Sequence, residues 1–79
     1  MCLAIPMQVM KINGYYASCE ARGSSRDVSL LLIQYEEIKV GDYVMVHLGR
    51  AISKVTADEA KLAWELYDEM LMLEAISPN

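Results

Sequence analysis

The sequence predicts a mostly β single domain, in which a small five-stranded β-barrel, closed or partly closed, precedes one C-terminal α-helix. Five short strand-like segments occupy the first 55 residues, and turn residues separate them at near-regular intervals. A helical repeat of apolar residues begins only after Thr56. The chain has 79 residues, 54% of them hydrophobic, which suits one core and leaves no room for two.

The predicted domain divides into four parts. Residues 1–6 are expected to form an extended N-terminal tail, residues 7–55 the barrel, residues 57–75 the helix, and residues 76–79 a frayed end. Proline restricts the residue before it to extended backbone, so Pro6 is expected to hold the tail out stiffly.

The first two strands are predicted around Asn13-Gly14, a dipeptide typical of hairpin turns in which both central residues take positive φ. The alternation of the first strand slips between Val9 and Met10, which indicates a β-bulge. The apolar face of the return strand is expected to carry Tyr15, Ala17, Cys19 and Ala21.

The third strand is predicted from residue 26, after a polar turn over residues 22–25. One face of this strand carries Val28, Leu30 and Leu32, and the other carries Leu31 and Ile33. Because both faces are apolar, we expect both to be covered by other parts of the protein. The fourth strand is predicted over residues 43–48. Its inward residues are Val44, Val46 and Leu48, and its outward residues are Tyr43, Met45 and His47. Gly49-Arg50 interrupts the pattern before a last strand over residues 51–55.

Thr56 and Glu59 predict the start of the helix, because each can cap the backbone N–H of the other. Asp58 and Glu59 also suit the positive end of the helix dipole. One apolar stripe consists of Ala60, Ala63, Trp64, Tyr67, Met70 and Leu71, and Leu62, Leu66 and Leu73 widen it. The sequence leaves two interpretations of this excess open, since it suits either a barrel-closing core or a partner-docking surface.

The charge and the cysteine content exclude several classes of protein. Eleven acidic against seven basic residues give a net charge of −4, which disfavours nucleic acids and anionic membranes as partners. No apolar run approaches the roughly 20 residues of a membrane-spanning helix, and the start lacks the features of a secretion signal. Two cysteines make no disulfide framework in such a chain, so a cytoplasmic protein with free thiols is expected.

Cys2 is the first candidate for chemistry. Loss of Met1 would expose an N-terminal cysteine, and a protonated α-amine on the same residue favours the thiolate. The sulfur could then act as a nucleophile, or could bind a soft or borderline metal together with the deprotonated amine. The alternative is that Cys2 is a chance second residue on a frayed terminus.

The other candidates are Cys19 and His47. Cys19 lies within a strand and is predicted to pack in the core as a small apolar side chain. His47 is the only histidine. It is either a surface residue without a role or lies near the N-terminal tail, where it would supply a ligand, a hydrogen bond or a proton. The two cysteines match no zinc-site spacing, and the chain has no nucleophile elbow or phosphate-binding loop.

Four motifs together resemble one known family. The chain begins Met-Cys-Leu-Ala-Ile-Pro-Met-Gln-Val, and Arg26-Asp27-Val28 opens the third strand. Residues 40–44 read Val-Gly-Asp-Tyr-Val, residues 46–49 read Val-His-Leu-Gly, and the helix opens with acidic residues. This combination, which covers nearly the whole chain, resembles the HypC/HupF/HybG family of hydrogenase maturation chaperones.

The resemblance implies an OB-like β-barrel with a C-terminal helix, and a chaperone rather than an enzyme. Such a protein would pair with the scaffold protein HypD and transfer a Fe(CN)2CO unit to the large-subunit precursor of a nickel–iron hydrogenase. This unit would be a transient cargo, with no permanently bound cofactor. By position, Cys2 would be the iron ligand and His47 a supporting residue. The partner-contacting residues would be Cys2, Leu3, Ala4, Ile5, Pro6, His47 and Arg50.

Two residues depart from the family pattern. Arg50 stands where members often carry a bulky apolar residue, which alters the surface beside His47, and Cys19 stands where valine is more common. Two other functions compete with the chaperone: a small N-terminal-cysteine amidohydrolase-like enzyme, and an OB-type binding module. The short chain leaves little room for a substrate pocket with oxyanion donors, and its acidity disfavours oligonucleotides.

Overall fold

A computed structural model describes residues 4–76, with side chains described as far as residue 70. Its strands are β1 (Ile5–Asn13), β2 (Tyr16–Ala21), β3 (Ser24–Ser29), β4 (Tyr43–His47) and β5 (Arg50–Val55). A 3-10 turn (Leu31–Ile33) follows β3, and the helix α1 (Ala57–Ile76) follows β5. The strands close into a barrel in the order β1-β2-β3-β5-β4, and β4 pairs back to β1. The predicted OB-like five-stranded barrel with one C-terminal helix is confirmed.

The core of the barrel is formed by side chains that alternate inward along the strands. Burial of such apolar side chains is the main driving force for folding a domain of this size. Cys19 is fully buried, as predicted, and burial raises the pKa of its thiol. The core consists of Met7, Val9, Ala17, Cys19, Val28, Leu30, Ile33, Val44, Val46 and Ala51.

The first hairpin contains the predicted bulge, but its turn lies one residue later than predicted. The register pairs Asn13 with Tyr16, so the central residues are Gly14 and Tyr15. Gly14 has a φ of 64°, whereas Tyr15 is not among the residues of positive φ. A glycine at the first central position is typical of a type II′ turn. The register shifts between Val9 and Lys11, which confirms the bulge at Met10.

Two other turns correct the strand boundaries. Arg22-Gly23 and Leu48-Gly49 each have positive φ at both residues, the pattern of a type I′ turn, which matches the twist of the flanking strands. Residues 24 and 25 therefore belong to β3 instead of the turn, and β5 begins at Arg50. Leu48 was predicted to point inward but is exposed at the turn.

The prediction of a long third strand was wrong after Ser29. Leu30 and Ile33 are both buried, whereas Leu31 and Leu32 are 47% and 53% exposed. A spacing of three residues between buried positions is that of a 3-10 helix. A short apolar run does not by itself distinguish a doubly covered strand from a helical turn.

The predicted tail over residues 1–6 was too long, because β1 begins at Ile5. Ile5 pairs with Val46 and Pro6 pairs with Met45, whereas pairing with β2 begins only at Gln8. Proline lacks an N–H group, and it is tolerated in a strand where one side has no neighbour. Residues 1–3 lie outside the described residues.

The helix begins with the predicted capping box. The Thr56 hydroxyl accepts a bond of 3.0 Å from the Glu59 N–H, and the Glu59 carboxylate accepts one of 2.9 Å from the Thr56 N–H. The helix packs against β1 and β4 and extends to Ile76, one residue beyond the prediction. The rest of the predicted frayed end lies outside the described residues. No helix in the described part of the chain is long and apolar enough to span a membrane.

Candidate functional site

The strand register brings the described candidate residues together at the start of β1. The ladder between β1 and β4 ends at the pair Ile5 and Val46, so Ala4 and His47 are the residues that directly adjoin its last pair. Across the β4–β5 hairpin, His47 pairs in turn with Arg50. Ala4, His47 and Arg50 therefore lie together at the end of these strands, and they are called the His47 row below. Cys2 and Leu3 lie outside the described residues, two positions and one position before this row.

His47 points outward, as predicted, because it alternates with the buried residues Val44 and Val46. It is half-buried, and Arg50 beside it is exposed. The ion pairs among the described side chains join Arg22 to Asp68, Lys39 to Glu37, and Lys54 to Asp42, so none involves this row. The row therefore presents a histidine and a cation without a carboxylate partner from the described part of the chain.

Two residues of the predicted partner-contacting tail are part of the barrel. Ile5 packs against the core, and Pro6 is buried. The Pro6 carbonyl accepts a hydrogen bond of 3.0 Å from the indole N–H of Trp64. Of the described residues in that tail, only Ala4 precedes the barrel.

Ala4 also lines an apolar groove between the start of β1 and α1. The groove has a volume of about 220 Å³ and is called the helix groove below. Leu62 and Leu66 are 57% and 54% exposed, so at these positions the excess apolar arc of the helix is surface instead of barrel core. The apolar stripe of the helix, wider than a core contact needs, was the feature of the sequence that indicated this exposed surface. The lining residues of the groove are Ala4, Pro6, Ala63, Leu66, Tyr67 and Met70.

A cluster that the sequence did not predict holds the helix beside this groove. The Arg22 guanidinium lies 4.5 Å from the centre of the Trp64 ring and also binds Asp68. The Trp64 and Tyr67 rings stack at 5.6 Å with an interplanar angle of 9°. The hydrogen bond from Arg22 lowers the pKa of the Asp68 carboxyl. Arg22, Trp64, Tyr67 and Asp68 are called the Trp64 clamp below.

A cavity of about 400 Å³ lies at the opposite end of the β4–β5 hairpin from His47. Its walls include Tyr43, Lys54 and Glu59, and it contains no cysteine or histidine. The Thr56 hydroxyl in its wall already caps the helix. This cavity therefore lacks a nucleophile with a base beside it, and gives no support to the amidohydrolase interpretation.

The described side chains include no group of three or more histidine, cysteine or acidic residues arranged to hold a metal ion. A metal at the His47 row would therefore have to draw ligands from Cys2 or from a partner protein. Thiolate and imidazole donors suit iron, whereas carboxylates favour harder cations. Among the described side chains of this row, His47 is the one that can bind a metal ion.

Comparison with known proteins confirms the family that the sequence motifs resemble. The model of the HupF/HypC family matches residues 1–67, which include β1 to β5 and the first half of α1. The chain is 38% identical over 72 residues to hydrogenase maturation factor HypC of Helicobacter hepaticus, covering 90% of this chain and 83% of that protein. It is 40% identical over 76 residues to HypC of Rhizobium leguminosarum, covering 95% and 99%. HypC of Escherichia coli K12 is 32% identical over 78 residues, covering 94% and 87%.

Proposed function

The chain belongs to the HupF/HypC family, and from this premise we propose that it is a hydrogenase maturation chaperone without a catalytic cycle. It pairs with the scaffold protein HypD and transfers the Fe(CN)2CO unit to the large-subunit precursor of a nickel–iron hydrogenase. The observation that carries the proposal is the last pair of the β1–β4 ladder, Ile5 with Val46, because it is adjoined by His47 on one strand and by the tail that holds Cys2 on the other. The relatives are named hydrogenase maturation factors, which supports the same role.

In this proposal the Cys2 thiolate is the cargo ligand, after removal of Met1. Two residues of chain span at most about 7 Å, so a tail that turns toward β4 brings Cys2 within reach of His47. A low-spin iron with cyanide and carbon monoxide ligands prefers a soft donor such as thiolate. His47 supports the contact with a hydrogen bond or a proton, since its side chain points outward and has no carboxylate partner among the described residues.

Release of the cargo is as important as its capture. The described residues hold no ready-made set of three metal-binding side chains. A unit held by one thiolate passes to the next protein by ligand exchange, in which an incoming cysteine replaces Cys2 without an empty intermediate. The donor set of this chain therefore suits a carrier more than a storage site.

The partner-contacting surface is proposed to consist of Ala4, His47 and Arg50, with Cys2 and Leu3 before them. Ile5 and Pro6 contribute by fixing the direction in which the tail leaves the barrel, since both are held in β1. Arg50 is exposed, so it is proposed to influence which partner or client the surface accepts. The proposed setting is the cytoplasm, with no nucleic acid or membrane as partner.

The test compares Cys2→Ala with Cys19→Val in a host deleted for its own copy of this protein. Both variants should fold, because Cys2 precedes the barrel and valine suits the buried position of Cys19. Protein copurified anaerobically should carry CN and CO infrared bands in the native and Cys19→Val forms, and should lose them in Cys2→Ala. Hydrogenase activity should follow the bands. Normal maturation by Cys2→Ala, or a native protein that retains Met1 in mass spectra, would contradict the proposal.

A further inference from the structure

The barrel is barely closed between β3 and β5. These strands share a single pair, Ser29 with Arg50, in parallel orientation. On its other side β3 is paired with β2 along its whole length, from Ser24 to Ser29. Residues 24–27 are all exposed. One edge of β3 is therefore open along most of the strand.

The register identifies the backbone groups on this open edge. The two-residue turn Arg22-Gly23 makes Ala21 and Ser24 a hydrogen-bonded pair, and such pairs alternate along an antiparallel ladder. Ser25, Asp27 and Ser29 therefore direct their N–H and C=O groups away from β2. In agreement, the Ser29 N–H donates to the Gly49 carbonyl at 3.0 Å. The outward groups of Ser25 and Asp27 have no backbone partner in the described part of the chain.

We propose that the open edge of β3 is a strand-addition site, where an extended segment of a partner polypeptide pairs antiparallel with residues 24–28. Strand addition to an exposed edge is a common mode of peptide recognition, because the main chain supplies affinity and the side chains supply specificity. The segment ends before Ser29, since β5 occupies the edge at that residue.

The sequence of β3 disfavours the two registers in which this edge would pair through Asp27 with a second copy of the chain. Antiparallel hydrogen-bonded pairs join outward residues only, so a register that uses Asp27 on the open edge sets it opposite either Ser25 or Asp27 of the other copy, whereas a register with Ser25 opposite Ser25 leaves Asp27 out of the pairing along β3. The first register sets Arg26 opposite Arg26, and the second sets Asp27 opposite Asp27. Like charges directly opposite each other destabilise a sheet, and charges on edge strands are a known defence against self-pairing.

The same two charges specify the partner. An acidic residue opposite Arg26 and a basic residue opposite Asp27 turn both repulsions into attractions. Read in the antiparallel direction, the partner segment therefore has a basic residue followed immediately by an acidic one. The net charge of −4 and the exposed backbone donors and acceptors make a polypeptide, not a nucleic acid strand, the fitting occupant.

The test uses two capped hexapeptides at millimolar concentration, Thr-Val-Lys-Glu-Val-Thr and its charge-swapped control Thr-Val-Glu-Lys-Val-Thr, with the full chain observed by NMR. The first peptide should bind saturably and slow amide exchange at Ser25 and Asp27 by at least about tenfold. The control should bind more weakly. Binding without slower exchange at these two amides, equal binding of both peptides, or no saturable change would each overturn the proposal.

A pair of variants gives an independent readout. Ser25→Pro removes an outward N–H without removing a bond to β2, and proline is tolerated at such an edge position. It should weaken binding of the first peptide by at least about tenfold, whereas Ser25→Ala, which keeps the N–H, should stay within about twofold. A circular dichroism spectrum checks that Ser25→Pro is folded. If it is not, the exchange measurement on the native chain decides, because that measurement requires no substitution.

Discussion

The barrel and the helix are held in place in different ways. In the barrel, residues from all five strands and the 3-10 turn share one core, and most of them are fully buried. In the helix, the only fully buried side chain among the described ones is Ala60, at 2% exposure. The rest of its attachment consists of half-buried or exposed groups, above all the Trp64 clamp.

This difference indicates which part of the molecule can adjust. Loss of any core side chain is felt throughout a closely packed barrel. The helix, in contrast, depends on a few identifiable contacts, so we expect it to undock at a lower free-energy cost than unfolding of the barrel. The helix groove lies between these two regions, with one wall in β1 and the other in α1. Trp64 is the only tryptophan, so its fluorescence reports directly on the helix.

The largest expected effect comes from the core of the barrel. Ile33→Ala removes a fully buried side chain that lies outside the strands, and should lower the free energy of unfolding by about 2–5 kcal/mol. Leu32→Ala, at the exposed neighbouring position, should cost no more than about 0.5 kcal/mol. Urea unfolding followed by circular dichroism measures both. Equal costs would mean that the 3-10 turn does not belong to the core.

The next effect concerns the helix alone. Trp64→Phe leaves the carbonyl of buried Pro6 without its donor, which should weaken helix docking by about 1–3 kcal/mol. Amide exchange should accelerate over residues 60–70 and stay unchanged in the β1–β4 ladder. Tyr67→Phe keeps the stacked ring and serves as the control. Faster exchange in both regions would show that barrel and helix unfold as one unit.

A smaller effect is expected for Cys19→Val, which conserves the apolar character of a core position and should change stability by less than about 1.5 kcal/mol. In a Cys2→Ala background, the Cys19 thiol should resist a thiol reagent until the barrel unfolds, because burial both shields it and raises its pKa. Addition of urea to the same sample should unfold the barrel and allow the Cys19 thiol to react. Rapid labelling of the native chain would show that the barrel opens without urea.

The smallest effect is the pH dependence of the Trp64 clamp. Arg22 lowers the pKa of Asp68 below the unfolded value of about 3.9, so this contribution to docking is complete above that pH. It is lost only as the pH falls through the lower folded pKa. Trp64 emission should therefore stay constant from about pH 8 to 5 and shift to the red in stronger acid. Asp68→Asn removes the carboxylate that pairs with Arg22, so it should reduce the acid-induced red shift of Trp64 emission. If the emission changes with pH as in the native chain, the ion pair is not the acid-sensitive contact.

Predictions from the sequence were accurate where a structure depends on neighbours in the chain. The capping box of Thr56 and Glu59 and the bulge at Met10 both involve groups a few residues apart, and both are present. The outward orientation of His47 likewise followed from alternation along one strand. The same local rules placed the first turn one residue early, because more than one type of two-residue turn suits the sequence around Gly14. They also extended the third strand too far, because a short apolar run suits a strand and a helical turn equally well.

The candidate site was predictable in part. The resemblance selected Cys2 and His47. The described structure pairs Ile5 with Val46, the neighbour of His47, whereas the position of Cys2 stays a prediction. Ile5 and Pro6 were expected in the tail, but pairing with β4 places both in the barrel; their contact with a partner stays a prediction. The excess of leucines in the helix indicated that part of α1 is exposed. It did not indicate that the start of β1 forms the other wall of the helix groove.

The amino-acid sequence by itself determined the elements: the number of strands, the acidic helix start and the buried positions in alternating segments. These follow from backbone preferences and side-chain periods that act over a few residues. Only the tertiary structure decided that Arg22 meets Trp64 and Asp68, that Pro6 accepts a bond from Trp64, and that the edge of β3 stays open. Such contacts join residues up to 58 positions apart, and they depend on how the closed barrel orients elements that carry no local signal for one another.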